Sequence, residues 1–157
     1  IENKLKFSPY IKEAVAFGQN RAYVAAMINI DMENVGKWAE RHQVAYTTYT
    51  DLSQKPQIYE LIAREVERVN GDLEDAMRIK RYLLLHKELD ADDEEVTRTR
   101  KVRRGFVAKK YENIIEALFT DTAEVPVTSV ITYQDGRQAT LETKLTIRSI
   151  DDAFVSV

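Results

Sequence analysis

Hydrophobic positions near the start of the chain follow two different spacings. Two β-type runs, residues 11–17 and 23–30, are joined by Gly18-Gln19-Asn20-Arg21. These turn residues and the short connection predict an antiparallel hairpin. Asp31 comes next and can cap a helix. The apolar positions of that helix recur every three or four residues, as on one helical face: Met32, Val35, Trp38 and Ala39.

Two more helices are predicted in this half of the chain. Glu2 to Phe7 has the pattern of a helix tail that ends before Ser8-Pro9, because proline disfavours α geometry in the preceding residue. After a connector at 45–51, a longer helix runs from about Ser53 to Asn70-Gly71, which is a stop signal. Its apolar side is formed by Ile58, Leu61, Ile62, Val66 and Val69.

The second half of the chain contains three predicted strands. Residues 79–86 include the apolar run Tyr82-Leu83-Leu84-Leu85, which predicts a strand buried on both faces at the centre of a sheet. Residues 127–133 and 138–148 alternate with period two around Asp135-Gly136, a strong hairpin signal. One face of the last strand would carry Ala139, Leu141, Thr143, Leu145 and Ile147.

Strands and helices mix without regular βαβ alternation, so the predicted fold class is α+β. We expect a small mixed β-sheet flanked by about three helices, with a C-terminal β-hairpin extension. The third helix follows the basic stretch described below, with Val107, Tyr111, Ile114, Ile115 and Leu118 on its inner face. The best internal boundary is the stretch 120–126, which divides the chain into residues 1–119 and a hairpin, residues 120–157.

Composition narrows the function classes. The 157 residues are 44% hydrophobic and 31% charged, with a formal net charge of -3, which argues against a bulk nucleic-acid binder. There is no cysteine, so disulfides, thiolate zinc sites and cysteine nucleophiles are excluded. The chain has no signal-peptide pattern and no apolar run long enough to span a bilayer. It opens on Ile1, and we expect it to be a piece of a longer protein.

The histidines and the acidic residues suggest no catalytic or metal site. His42 and His86 are the only histidines, and neither lies in a recognisable motif. Six acids occupy residues 88–95, but this run lacks the glycine and the ligand order of a calcium loop. The five glycines are scattered and cannot build a phosphate-binding loop. We therefore predict no metal site in this chain.

A basic stretch is the most unusual local feature. Residues 98–110 contain seven bases and no acid: Arg98, Arg100, Lys101, Arg103, Arg104, Lys109 and Lys110. The stretch could be a solvated loop that balances the acidic run before it. As a nucleic-acid patch it is disfavoured, because interleaved aromatic residues are missing. Alternatively, one base reaches into a neighbouring active site, where a lysine offers a compact, mobile charge for phosphate.

The residues around this stretch form a familiar motif. Thr97-x-Thr99-x-Lys101-x-x-Arg104, with Lys87-Glu88-Leu89-Asp90 upstream and Tyr111-x-x-x-Ile115 downstream, resembles the closing motif of long-chain fatty acid-CoA ligases. These enzymes belong to the adenylate-forming, AMP-binding superfamily. Three further segments, residues 1–11, 34–40 and 46–56, are similar to the same family, and the last two lie in an insertion typical of the long-chain branch. Together the resemblance covers about residues 1–119.

The resemblance implies that the chain is most of the C-terminal lid domain of such a ligase, beginning just past the hinge. In this family a large N-terminal domain binds ATP, Mg²⁺ and the fatty acid. The carboxylate first attacks ATP to give acyl-adenylate, and the thiol of coenzyme A then forms the thioester. Lys101 matches the catalytic lid lysine, which contacts the carboxylate and the α-phosphate. Arg103 and Arg104 would lie near coenzyme A or phosphate.

Two positions depart from the superfamily pattern. Arg100 stands where glycine usually precedes the lysine, and Arg98 stands where many relatives have proline. We expect a stiffer and more positively charged loop. The hairpin 120–157 lies outside the resemblance, and would be either an added docking surface or an extra edge of the sheet.

The resemblance also sets expectations for the partners. The chain would act with its own N-terminal adenylation domain and a fatty acid, without nucleic acid or a transmembrane segment. Its location would be cytoplasmic, with or without peripheral membrane contact, and the isolated chain would be inactive. The alternative is a non-catalytic interaction module that keeps the lid fold and binds a partner through the hairpin or the basic loop.

Overall fold

The computed structural model of the chain describes residues 1–132 and 135–150. The order of the elements is α1 (Glu2–Lys6), β1 (Ile11–Phe17), β2 (Val24–Ile30), α2 (Met32–Arg41), α3 (Tyr49–Ser53), α4 (Pro56–Asn70), a 3-10 turn (Asp75–Met77), β3 (Ile79–Leu84), α5 (Arg104–Lys110), α6 (Glu112–Leu118), β4 (Glu124–Thr132) and β5 (Gln138–Ser149). The α+β class is confirmed.

The strands form one mixed sheet in the order β1-β2-β3-β5-β4. Strands β1 and β2 pair antiparallel, as their turn residues predicted, whereas β2 and β3 pair in parallel. Strand β3 is therefore central, and Tyr82, Leu83 and Leu84 have no exposed surface. This confirms the prediction of a strand buried on both faces.

The C-terminal hairpin adds two strands to this sheet. Strands β4 and β5 pair antiparallel, and β5 also pairs with β3, placing Ile147 opposite Leu83. Gly136 has a φ of +87°, the left-handed conformation that favours glycine in a tight turn. Leu145 and Ile147 are buried on one face, as predicted. The side chain of Leu141 and all of Tyr133, which were also part of the predicted hairpin, lie outside the described residues.

The described residues form six α-helices rather than about three, because part of the predicted connector is helical and the helix after the basic stretch is divided. Pro56 begins α4, and Lys55 before it is extended, as expected for a residue that precedes proline. The short α3 before it is capped by Thr48, whose hydroxyl accepts a hydrogen bond from the Asp51 N–H at 3.1 Å. Part of the predicted connector at 45–51 is therefore helical. The helix after the basic stretch is divided at Tyr111 into α5 and α6.

Side chains from alternate strand positions build a core on each face of the sheet. Ile28 and Ile30 pack with residues of α2–α4 on one face, whereas Met27 and Leu83 pack with α5 and α6 on the other. The predicted inner face of α5–α6 is confirmed by five buried side chains: Val107, Tyr111, Ile114, Ile115 and Leu118. The basic stretch therefore leads into a helix pair anchored on the second face.

Within the described part of the chain, no helix combines the length and the apolar character that crossing a membrane would require.

Candidate functional site

Lys101 lies in a small hairpin that precedes α5. Val96 and Val102 form an isolated antiparallel bridge, and the Thr97 N–H donates to the Lys101 carbonyl at 2.8 Å. The Arg100 N–H donates to the Thr97 carbonyl at 2.9 Å and closes the turn. We call residues 96–102 the lysine hairpin. Its three-residue loop, residues 98–100, has the hydrogen bonds of a turn followed by a bulge residue.

Arg100 occupies the bulge position with a φ of +66°. This left-handed conformation costs a residue with a side chain about 1–2 kcal/mol, whereas glycine adopts it freely. The structure therefore gives a physical reason for the glycine that the superfamily pattern has at this position.

The threonines of the motif organise the lysine hairpin. The Lys101 N–H donates to the Thr97 hydroxyl at 3.1 Å, and the hydroxyls of Thr97 and Thr99 are also 3.1 Å apart. Lys101 is exposed, and its ammonium group has no hydrogen bond or ion pair with any residue that the structure describes. The backbone of Lys101 is thus held while its charge is available.

The side chains of the two predicted arginines, unlike that of Lys101, contact other parts of the chain. Arg103 donates to the Glu94 carbonyl at 3.1 Å, and its guanidinium carbon lies 5.2 Å from the centre of the Phe106 ring. Arg104 forms an ion pair with Glu2 and donates to the Ala16 carbonyl at 2.8 Å. Arg103 therefore braces the base of the hairpin, and Arg104 ties α5 to α1 and β1.

A cleft of about 900 Å³ lies beside Arg104. Its wall includes the turn after β1, with Gly18 and Gln19, and the exposed side of α5, with Lys109. Of the three predicted site residues, Arg104 lines this cleft and Lys101 and Arg103 do not.

Glu95 is one of the six acids of residues 88–95, and its sequence pattern predicts no special role. Its side chain has no exposed surface. One carboxylate oxygen accepts from the Lys87 ammonium at 2.8 Å and from the Asp90 N–H at 3.0 Å. The other accepts from the Tyr111 hydroxyl and pairs with the Lys110 ammonium at 2.9 Å. In the sequence, the only local indication that Glu95 is buried is its place immediately before the apolar Val96.

We call Glu95 and its side-chain partners Lys87, Lys110 and Tyr111 the Glu95 cluster; their contacts shift the pKa values of three of these groups. Burial alone would raise the pKa of Glu95, but the hydrogen bonds from Lys87, Tyr111 and Lys110 outweigh it and lower that pKa. Burial likewise opposes the charge on Lys87, but hydrogen bonds to Asp93 and Glu95 raise the pKa of its ammonium. Burial and the Glu95 carboxylate together raise the pKa of the Tyr111 hydroxyl. At neutral pH Glu95 is therefore a carboxylate, Lys87 an ammonium group and Tyr111 a neutral phenol.

Neither histidine lies in a catalytic arrangement. His86 is 8% exposed, and burial and the nearby Lys87 lower its pKa, so its imidazole is neutral at pH 7. His42 follows α2, where its ring stacks on Trp38 and its Nδ1 is 2.8 Å from the Trp38 carbonyl. No group of three or more histidine or carboxylate side chains among the described residues is placed to hold a metal ion.

Sequence comparison relates the chain to adenylate-forming enzymes. Residues 1–123 match the family described as AMP-binding enzyme C-terminal domain. The chain is also 31% identical over 120 residues to the long-chain-fatty-acid–CoA ligase FadD15 of Mycobacterium tuberculosis. That alignment covers 76% of this chain and 20% of the ligase, so the chain spans about a fifth of the length of this relative.

Solved structures share the fold. One is the A-PCP didomain of carboxylic acid reductase from Segniliparus rugosus in complex with AMP, with a TM-score of 0.55 and 14% identity over 75% of this chain and 15% of that chain. Another is the adenylation domain of the carboxylate reductase from Mycobacterium chelonae, with a TM-score of 0.57 and 18% identity over 76% of this chain and 17% of that chain. At these identities the similarity concerns the fold alone. The match over residues 1–123 shows that the chain belongs to the family of AMP-binding enzyme C-terminal domains.

Proposed function

We propose that this chain is the lid domain of an ATP-dependent, AMP-forming long-chain fatty acid-CoA ligase. The family and the similarity to FadD15 support the class of enzyme. The observation that carries the proposal is the state of Lys101, which has a fixed backbone and an exposed, unpaired ammonium group among the described residues. In this proposal Lys101 is the catalytic residue of adenylate formation.

The first half-reaction brings two anions together. A carboxylate oxygen of the fatty acid attacks the α-phosphorus of ATP, the bond to the bridging oxygen breaks, and pyrophosphate leaves. Negative charge accumulates on the phosphoryl oxygens in the transition state, and a cation placed there lowers the barrier most where water is excluded. Lys101 would supply that cation. Mg²⁺, held mainly by the N-terminal domain, would neutralise charge on the ATP phosphates.

The second half-reaction needs the same space for another reactant. The thiol sulfur of coenzyme A attacks the acyl carbon, its proton is lost, and the acyl–oxygen bond breaks to release AMP. Rotation of the lid would remove Lys101 and open a path for the thiol, so that one domain serves both steps. The lysine hairpin suits this role, because it leads directly into α5 and would move together with that helix.

Arg103 and Arg104 have a lesser part in the proposal. We place both near the phosphates of coenzyme A or of the nucleotide. The guanidinium of each already contacts a backbone carbonyl of the lid, at Glu94 and at Ala16 respectively. Each would therefore act from a braced position rather than by swinging into the site. We also propose the cytoplasm as the location, since ATP and coenzyme A are available there.

The test uses the complete enzyme with Lys101→Ala. Fatty-acid-dependent pyrophosphate exchange should fall about 10²- to 10³-fold, the usual cost of losing one preorganised donor. Thioester formation from preformed acyl-adenylate should stay within about threefold of the unaltered enzyme. Lys37→Ala, which removes an exposed lysine of α2 on the other face of the sheet, is the matched control and should preserve both half-reactions.

Two results would contradict the proposal. One is an equal loss of both half-reactions in Lys101→Ala. The other is a complete protein that supports no fatty-acid-dependent pyrophosphate exchange at all, which would favour the interaction module. The isolated chain should be inactive in either assay.

A further inference from the structure

The Glu95 cluster connects the lysine hairpin to the rest of the lid. Glu95 immediately precedes the hairpin, and its backbone carbonyl accepts a hydrogen bond from the Arg103 N–H at 2.9 Å. One residue therefore joins the entering and the leaving strands of the hairpin. The side chain of the same residue points away into the body of the domain, where it is completely buried.

The partners of the carboxylate belong to the elements on which the hairpin rests. Lys110 is the last residue of α5, and Tyr111 lies between α5 and α6. Lys87 and Asp90 belong to the segment that leads from β3 to the hairpin. The two oxygens of Glu95 thus collect four donors from both chain segments that flank the hairpin.

An ionised carboxylate is suited to this place. It accepts hydrogen bonds at both oxygens, and charge-assisted bonds from ammonium groups are the strongest that side chains form. A glutamine of the same shape would turn its NH₂ group towards donors on one side, leaving a buried donor facing an ammonium or a phenol. The size and position of the side chain would be kept while the anchoring was lost.

We propose that Glu95 is a positioning residue that holds the lysine hairpin in the geometry that adenylate formation requires. This inference rests on the proposed role of Lys101. Glu95 does not contact substrate; it acts through the backbone that carries the lysine. Displacing a catalytic group by about 1 Å can cost about 10²-fold in rate. Loss of the Glu95 contacts should therefore slow adenylate formation, the step that uses Lys101.

The experiment compares four variants of the complete enzyme: Glu95→Gln, Glu94→Gln, Lys101→Ala and the double variant Glu95→Gln/Lys101→Ala. Glu94→Gln makes the same chemical change at the exposed neighbour and is the matched control. Glu95→Gln should lower kcat for pyrophosphate exchange about 10- to 100-fold. The KM for the fatty acid and the rate of thioester formation from preformed acyl-adenylate should stay within about threefold. Glu94→Gln should behave as the unaltered enzyme.

The double variant separates positioning from a general structural role. If Glu95 acts through Lys101, the double variant should be no slower in pyrophosphate exchange than Lys101→Ala alone. Multiplication of the two losses, or an equal loss of both half-reactions in Glu95→Gln, would overturn the inference and leave the role of Lys101 intact. Unimpaired pyrophosphate exchange in Lys101→Ala would overturn both the inference on Glu95 and the proposed role of Lys101.

A milder variant keeps the test decisive if Glu95→Gln does not fold. Tyr111→Phe removes one of the four donors and keeps the ring that packs in the core. It should lower pyrophosphate exchange about threefold to tenfold, again without an effect on the thioester step. Equal effects on both steps, or no effect on either, would overturn the inference.

Discussion

The backbone of Lys101 is tied to Thr97 at two points. The Thr97 N–H donates to the Lys101 carbonyl at 2.8 Å, and the Lys101 N–H donates to the Thr97 hydroxyl at 3.1 Å. The first bond needs only a backbone, whereas the second needs a hydroxyl at position 97. The threonine of the motif thus has a structural task that is separate from any contact with substrate.

Replacing Thr97 with valine should weaken that tie. The shape is almost kept, but the Lys101 N–H loses its acceptor, and a hydrogen bond of this kind contributes about 0.5–1.5 kcal/mol. We expect pyrophosphate exchange by the complete enzyme to fall about threefold to tenfold. Thr99→Val leaves the acceptor in place and is the control; a loss as large in Thr99→Val would argue against a specific role for the Thr97 hydroxyl.

The left-handed conformation of Arg100 predicts opposite effects of glycine at two neighbouring positions. Arg100→Gly removes the cost of a side chain at φ +66°, and the free energy of unfolding should stay level or rise by up to about 1 kcal/mol. Arg98 is not in this conformation, so Arg98→Gly should lower the free energy of unfolding by up to about 1 kcal/mol. Denaturant unfolding of both variants measures the difference. Equal destabilisation would contradict the assigned backbone geometry.

The hydroxyl of Tyr46 approaches α2 closely at Gly36. A Cβ at position 36 would lie 2.6 Å from the Tyr46 hydroxyl oxygen and 3.5 Å from the ring carbon that bears it. Gly36→Ala should therefore lower the free energy of unfolding by about 1 kcal/mol or more, although alanine favours helices. Thermal or denaturant unfolding would measure this loss.

Two further variants identify its cause. Removing the clashing hydroxyl with Tyr46→Phe should restore most of the loss in the double variant, since the rest of the ring is not in steric conflict. Gly105→Ala is the control in α5, because a Cβ there meets nothing within 4 Å. It should stabilise the chain by up to about 1 kcal/mol. A double variant no better than Gly36→Ala would disprove the clash.

Glu95 should make the stability of the chain sensitive to acid. Because its pKa in the folded chain is below the ordinary value of 4.5, its contribution is complete above that value. It is lost as the pH falls through the folded pKa, when Lys87, Lys110 and Tyr111 face a protonated acid. Denaturant unfolding between about pH 6 and pH 3 should show a steeper loss of unfolding free energy in the unaltered chain than in Glu95→Gln. Parallel curves would contradict this assignment.

Local patterns were sufficient for most individual elements. Alternation and helical spacing depend on neighbours along the chain, so β1, β2 and the helix capped by Asp31 could be recognised without tertiary information. The Asp31 side chain does accept from the Asn34 N–H, at 3.0 Å. The motif around Lys101 likewise pointed to the family that residues 1–123 match. The division of the helix after the basic stretch was not predicted, since unbroken apolar spacing continues through Tyr111.

The amino-acid sequence by itself determined the order of the five strands along the chain, the buried strand β3, the family and the candidate lysine, because each depends on residues close together in the chain. Tertiary structure alone decided that β5 lies between β3 and β4, since strand pairing depends on distant partners. It also decided that one of six neighbouring acids, Glu95, is buried among cations while Lys101 remains exposed. A charge run looks uniform in sequence; only packing determines which of its members lose contact with water.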